Sequence, residues 1–244
     1  MSKKTIFISI VLILFTTLLG QLFSDDELAV VTPSQQSQEI IANSMLQDSM
    51  MNDEWIISSY DNMMRRVGKE EGQDWILMSA IAYSESRFKP GLTSKMGAIG
   101  IMQIMPIVGR QFNVDVDQIA DPETNIRLAG KLLGQIDKML KIAPSTPKND
   151  RISIILACYN GGIGHVSDAR RLAKSNGENH NSWEVVARYL KMKADPAIYE
   201  SELVHHGKFT GSEQTEAYVK EVMHRYEIYN KMVDKGMPMV AQAQ

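Results

Sequence analysis

One cysteine, Cys158, stands among 244 residues, which excludes an internal disulfide and any cysteine-based zinc cluster. Positive charge is scarce in any one place. The formal net charge is -3 and no long basic run occurs, so a nucleic-acid partner has no electrostatic footprint here. Five histidines are scattered, and the adjacent pair His205-His206 lacks the i, i+4 spacing of helical metal ligands. Neither a metal nor a cofactor is called for. Alternating apolar and polar runs of the strand type are missing, and no internal repeat is present. Long apolar runs are absent too, with one exception at the start of the chain.

That exception is "MSKKTIFISIVLILFTTLLG", in which Lys3 and Lys4 precede an apolar run from Thr5 to Leu19. A basic start and an apolar middle are the layout of a secretory signal. No A-x-A cleavage site follows, and Gly20 and Ser24 are the small residues on offer. With Leu22 and Phe23 the run also suits a short uncleaved anchor, which would associate the chain with a membrane. No cysteine lies directly after it, so lipid attachment there is excluded. Residues 1–24 are therefore expected to be a signal peptide or membrane anchor, and the rest to be exported.

What remains has ordinary globular composition, 44% hydrophobic and 23% charged, enough for one large domain or two small ones. Residues 25–52 are rich in Gln, Ser and Asp without sustained periodicity and read as a polar linker. From 53 to 235 helix follows helix, with 236–244 left as a tail. In "ADPETNIRLAGKLLGQIDKML", Asp121 suits a cap, Pro122 the first helical position and Glu123 the helix dipole. Ala129, Leu132, Leu133, Ile136 and Leu140 then form one apolar stripe. "RISIILACYNGG" is a short apolar helix closed by Gly161 and Gly162. "NSWEVVARYLKM" opens with an N-x-x-E capping pattern from Asn181 to Glu184. "GSEQTEAYVKEVMHRYEIYNKMVDKG" is a long last helix ending before Gly236. An all-α domain of about eight helices follows, over roughly Asn52 to Lys235.

The stretch richest in chemistry is "WILMSAIAYSESRFKPGLTSKMGAIGIMQ", Trp75 to Gln103. It starts as a helix apolar nearly all round, the mark of a core helix. Glu85 falls in the last turn, because Pro90 and Gly91 stop the helix. Partial desolvation and the negative end of the helix dipole both raise the pKa of an acid so placed. A glutamic acid keeping its proton near neutral pH is a competent general acid. The bland alternative is a carboxylate paired with Arg87 or Lys89. In the following loop Gly97 and Gly100 allow positive φ and close ligand approach. Ser94 and Gln103 offer hydrogen bonds, Met102 and Met105 adaptable apolar contact, and Pro106 a new helix start. Small residues, donors and soft apolar surface suit a saccharide.

"ESRFKPGLTSKMGAIGIMQIMP", followed by "DPETNI" and "ACYNGGIGHV", resembles the catalytic domain of soluble-type (SLT, family 1) lytic transglycosylases over about Trp55 to Tyr229. The resemblance implies a goose-type lysozyme-like, all-α fold. It also implies cleavage of the MurNAc-GlcNAc bond of peptidoglycan glycan strands with a 1,6-anhydro end. By the same resemblance Glu85 is the catalytic acid, and Ser94, Gln103 and Met105 line the glycan groove. Tyr159 and Asn160 face the site, and Tyr218 of "EAYVKEV" approaches the acid from the last helix. Two departures stand out: Val108-Gly109 replaces the usual Thr-Ala pair, and Cys158 replaces an alanine, which we read as packing.

The motifs offer no second acid. Asp121 is explained as a cap, Glu123 as a first-turn charge, and Asp115 and Asp117 as loop solvation. One acid suffices if Glu85 protonates the glycosidic oxygen while the sugar's N-acetyl group stabilises the cationic centre. The Glu85 carboxylate then takes the C6 hydroxyl proton as that oxygen closes onto C1. The rivals are a goose-type lysozyme-like muramidase, in which an aspartate positions water, and a non-catalytic peptidoglycan-binding protein. A helical adaptor without a glycan role is the third.

Overall fold

A computed structural model of the chain describes residues 56–235. The expected leader, the linker and the C-terminal tail lie outside the described residues. Within them run nine α-helices, one more than expected, and one 3-10 helix, with no strand. In chain order these are α1 (Asp61–Glu71), α2 (Trp75–Ser86), α3 (Pro106–Gln111), the 3-10 helix (Val116–Ala120) and α4 (Pro122–Leu140). Then come α5 (Lys148–Gly161), α6 (Ile163–Ser175), α7 (Trp183–Met192), α8 (Pro196–Tyr199) and α9 (Ser212–Lys235). The two short helices, α3 and α8, each begin at a proline whose fixed φ suits the first turn.

Helix α2 is the centre of the packing. It begins at Asp74, whose Oδ1 accepts from the backbone N–H of Ile76 at 2.9 Å. The same side chain accepts from the Tyr226 hydroxyl of α9, which in turn accepts from Lys148 Nζ of α5 at 2.7 Å. One aspartate thus caps α2 and ties its start to two later helices. Leu77 to Ala82 are all buried, so the helix is wrapped by its neighbours rather than laid on a surface. α9 packs along α2 and α5, α1 packs against α2 and α4, and α6 packs against α7. Each fully buried Leu, Ile or Met in this core contributes about 1.5–3 kcal/mol.

The end of α2 is sharper than the downstream proline required. Arg87 and Phe88 both adopt left-handed backbone, with φ of 55° and 60°. The Arg87 N–H returns to the Tyr83 carbonyl at 3.0 Å. Ser86 Oγ donates to the Ile101 carbonyl at 2.8 Å and accepts from the Lys89 N–H at 3.1 Å. The helix terminus and the glycine loop are therefore joined one residue after Glu85.

Two other caps behaved differently from each other. Asp121 does cap α4, accepting from the Thr124 N–H at 2.9 Å with Pro122 at the first position. Asn181 does not cap α7. The cap position is Ser182 without a side-chain bond, and the Trp183 N–H is taken by Asp150 of α5 at 2.8 Å. Asn181 instead accepts from Arg170 at 2.7 Å. A tertiary partner displaced the local one. α5 also starts earlier than the apolar pattern, at Lys148, and ends at Gly161, followed by Gly162 with φ of 90°.

Candidate active site

Glu85 lies half-buried in the last turn of α2. Burial raises its carboxyl to about 7, and the nearby Tyr218 hydroxyl pulls it back part of the way. No cation does so. Arg87 turns outward to Glu221 of α9 at 3.1 Å, so the pairing that would have made Glu85 an ordinary surface acid is not formed. No second carboxylate perturbs Glu85 either. The other acids of the motifs have their own partners. Asp121 caps α4, and Asp115 opens the 3-10 helix in a reciprocal cap with Gln118. Glu123 is drawn down to about 2 by hydrogen bonds from Arg66 and Arg127.

Two phenols flank the acid. Tyr159 of α5 donates to the Met102 carbonyl at 2.7 Å. Burial, with a smaller effect of the Glu85 charge, holds its pKa well above the ordinary value. Tyr218 of α9 is raised in the same way, first by burial and then by Glu85. Both are neutral donors at any physiological pH. The Tyr218 hydroxyl is buried beside Glu85 but makes no hydrogen bond of good geometry. It influences the carboxyl by proximity rather than by a formed bond.

The loop before α3 forms the third side. Gly97 and Gly100 have φ of 84° and 79°, the left-handed backbone the sequence suggested. At Gly100 a Cβ would also fall 2.6 Å from Asn125 Nδ2, so no side chain fits. Asn125 is fully buried in the first turn of α4. It donates to the Ile99 and Ile119 carbonyls, each at 2.9 Å, and accepts from the Met102 N–H at 2.8 Å. The loop is thereby held by helix α4.

The remaining predicted residues are placed as follows. Ser94 Oγ accepts from the Ala98 N–H at 3.0 Å and so shapes its own turn. Gln103 has φ of 49°, and its Nε2 donates to the Gly100 carbonyl at 2.9 Å and to the Leu92 carbonyl at 3.2 Å. Met105 is exposed at the start of α3, whereas Met102 is fully buried and belongs to the core, not to a ligand surface. Asn160 is exposed, with its Oδ1 accepting from Thr215 Oγ1 at 3.0 Å. Cys158 is buried and its thiol is pushed up to about 12, as packing requires. Glu85, Tyr159 and Tyr218 are thus brought together, and Asn160 directly follows Tyr159 in the chain. Among the described residues nothing joins Ser94 or Met105 directly to Glu85. Sequence reasoning missed Ser86, Asn125 and Thr215, small polar residues whose partners are distant in the chain.

Two surface hollows, of about 710 and 670 Å³, are not lined by Glu85. The acid sits where α2, the glycine loop, α5 and α9 meet.

A family model described as the transglycosylase SLT domain matches residues 62–182. The chain carries a transglycosylase SLT domain. The matched segment includes every candidate residue except Tyr218, which lies beyond it. The membrane-bound lytic murein transglycosylase F of Alcanivorax borkumensis is 31% identical over 169 residues, 69% of this chain and 35% of that protein. The protein of the same description from Stutzerimonas stutzeri is 33% identical over 169 residues, again 69% of this chain and 33% of its own length. That from Yersinia enterocolitica is 38% identical over 128 residues, 52% and 26% of the two lengths. The SLT-domain chain therefore spans about a third or less of these curated relatives. Among solved structures, an inactive mutant of the lytic transglycosylase Slt from Pseudomonas aeruginosa superposes with a TM-score of 0.52 at 21% identity. That superposition covers 83% of this chain and 30% of the other. The SLT domain here shares its helical, lysozyme-like fold.

Proposed function

We propose that this SLT-domain chain is a peptidoglycan lytic transglycosylase that cleaves the MurNAc-GlcNAc linkage and leaves a 1,6-anhydroMurNAc end. The observation carrying this reading is the Glu85 carboxyl, raised to about 7 by burial, beside two neutral phenols and without a cation. Such a group holds a proton at neutral pH and can both give and take it back. Glu85 protonates the glycosidic oxygen as the C1–O bond breaks, and the sugar's acetamido carbonyl stabilises C1. The resulting carboxylate removes the C6 hydroxyl proton while O6 bonds to C1. The proton returns to Glu85, and no water is consumed.

Tyr218 eases the carboxylate half of the cycle, because a neighbouring donor favours the charged form. Tyr159 fixes the loop against α5 through Met102. Asn160 holds an acetamido group of the glycan, and Ser94, Gln103 and Met105 form the groove wall. An envelope location is supported by the "membrane-bound" description of the relatives and by the leader-like residues 1–24. No helix of the described residues is long and apolar enough to cross a membrane.

Digestion of purified sacculi tests the reading. Anhydro-muropeptides are the expected products, and Glu85→Gln should yield none. Reducing ends would instead assign a muramidase. Digestion by Glu85→Gln at the parental rate would remove Glu85 from the mechanism.

A further inference from the structure

Helix α9 reaches the site twice. Tyr218 lies against Glu85, and Thr215, three residues earlier and so on the same face, donates to Asn160. Thr215 is almost wholly buried, whereas Asn160 is exposed. A threonine hydroxyl has one proton to donate, and at 3.0 Å it is engaged with Asn160 Oδ1. In that bond the amide presents its oxygen to the Thr215 hydroxyl. Its carbonyl end faces α9, and its Nδ2–H2 end has no protein partner among the described residues. A ligand atom that meets the Nδ2–H2 end must be an acceptor.

The approach of Thr215 depends on a glycine. A Cβ at Gly161 would lie 3.0 Å from Thr215 Oγ1 and 3.1 Å from the Phe209 ring. Both contacts are tighter than side chains ordinarily allow. Gly161 lets α9 and the segment before it close onto the end of α5, which brings the hydroxyl within reach of Asn160.

We infer that Thr215 is a positioning residue that sets Asn160 to donate to the carbonyl oxygen of a substrate acetamido group. This rests on the proposed glycan-cleaving function and makes it more specific. Thr215 touches no reacting atom, so its role is selection and alignment.

The test is the affinity of the full chain, in the Glu85→Gln background so that nothing is cleaved, for a β-1,4 GlcNAc tetramer and its de-N-acetylated counterpart. Three forms are compared: Thr215, Thr215→Ser, which keeps the hydroxyl, and Thr215→Val, which keeps the shape. One neutral hydrogen bond corresponds to roughly a three- to tenfold preference. Thr215 and Thr215→Ser should favour the acetylated tetramer by that factor, and Thr215→Val should lose the preference with an unchanged melting temperature. An equal preference in Thr215→Val overturns the inference and leaves the proposed function intact. Failure of the parent to bind the acetylated tetramer overturns the inference, while sacculus digestion decides the function independently.

Discussion

Glu85 and Asp168 are both carboxyls removed from free solvent, and they are held in opposite states. Asp168 of α6 is fully buried, and burial alone would raise its pKa. It is nevertheless driven far below the ordinary carboxylate range by Lys193 Nζ at 2.7 Å and Arg171 at 2.8 Å. The backbone N–H groups of His205 and His206 add to this, at 3.1 and 2.9 Å. Glu85 receives none of this and keeps its proton. Burial does not decide the charge of an acid. The number of donors supplied with the burial does. The Asp168 site fastens the 203–206 segment to α6 and α7. The Glu85 site leaves the acid under-satisfied, which suits proton transfer.

Removing one carboxylate at a time separates the two roles most directly. Glu85→Gln should reduce glycan cleavage by at least about 10³-fold, at the upper range for loss of a general acid-base group. Its fold should remain intact, as judged by circular dichroism. Asp168→Asn should do the reverse. It strands the buried Lys193 ammonium, at a cost of about 3 kcal/mol in urea unfolding. A folded, fully stable Asp168→Asn would show that the ion cluster is not structural.

The pH dependence sharpens the contrast, because the two signs differ. The pKa of Asp168 is lowered on folding, so its contribution is present above about pH 4 and is lost as pH falls below that. The pKa of Glu85 is raised, so the folded state holds its proton more tightly than the unfolded one. Stability then declines as pH rises from about 4.5 through 7. Glu85→Gln removes that decline. At pH 8 it should be more stable than the parent by about 3 kcal/mol, and at pH 4 the gap should close. A difference that stays constant over this range would refute the raised pKa. The smallest effect is expected from Tyr218→Phe. Losing the hydroxyl removes the one influence lowering the Glu85 pKa, so the alkaline limb of activity should move to higher pH. A downward shift would contradict the assigned role.

Features depending on nearest neighbours were legible in the sequence. Glu85 at a helix end, the glycines with positive φ, the Asp121–Pro122 start and the Pro106 start all follow from local backbone rules. Features depending on a remote partner were not. Asn125 reads as one more polar residue in a first turn, and nothing adjacent announces that two loop groups and one of the 3-10 helix converge on it. The Asn181–Glu184 pattern fails for the same reason, since Asp150 arrives from 33 positions away. The Asp168–Lys193 pair spans 25 positions. Ser94 and Gln103 were legible as hydrogen-bonding residues, but not the extent to which their own loop engages them. α8, of four residues, is too short to show a period.

The Asn125 amide has a consequence for how this region can change. Surface loops usually tolerate insertions and deletions. Here one amide meets Ile99, Met102 and Ile119, groups on both sides of α3. Adding or deleting a residue between Gly100 and Met102 would slide one contact out of register and leave polar groups facing a dry interior. Drift in this stretch is therefore confined to swapping side chains at constant length, and new ligand preferences would have to arise at the exposed rim.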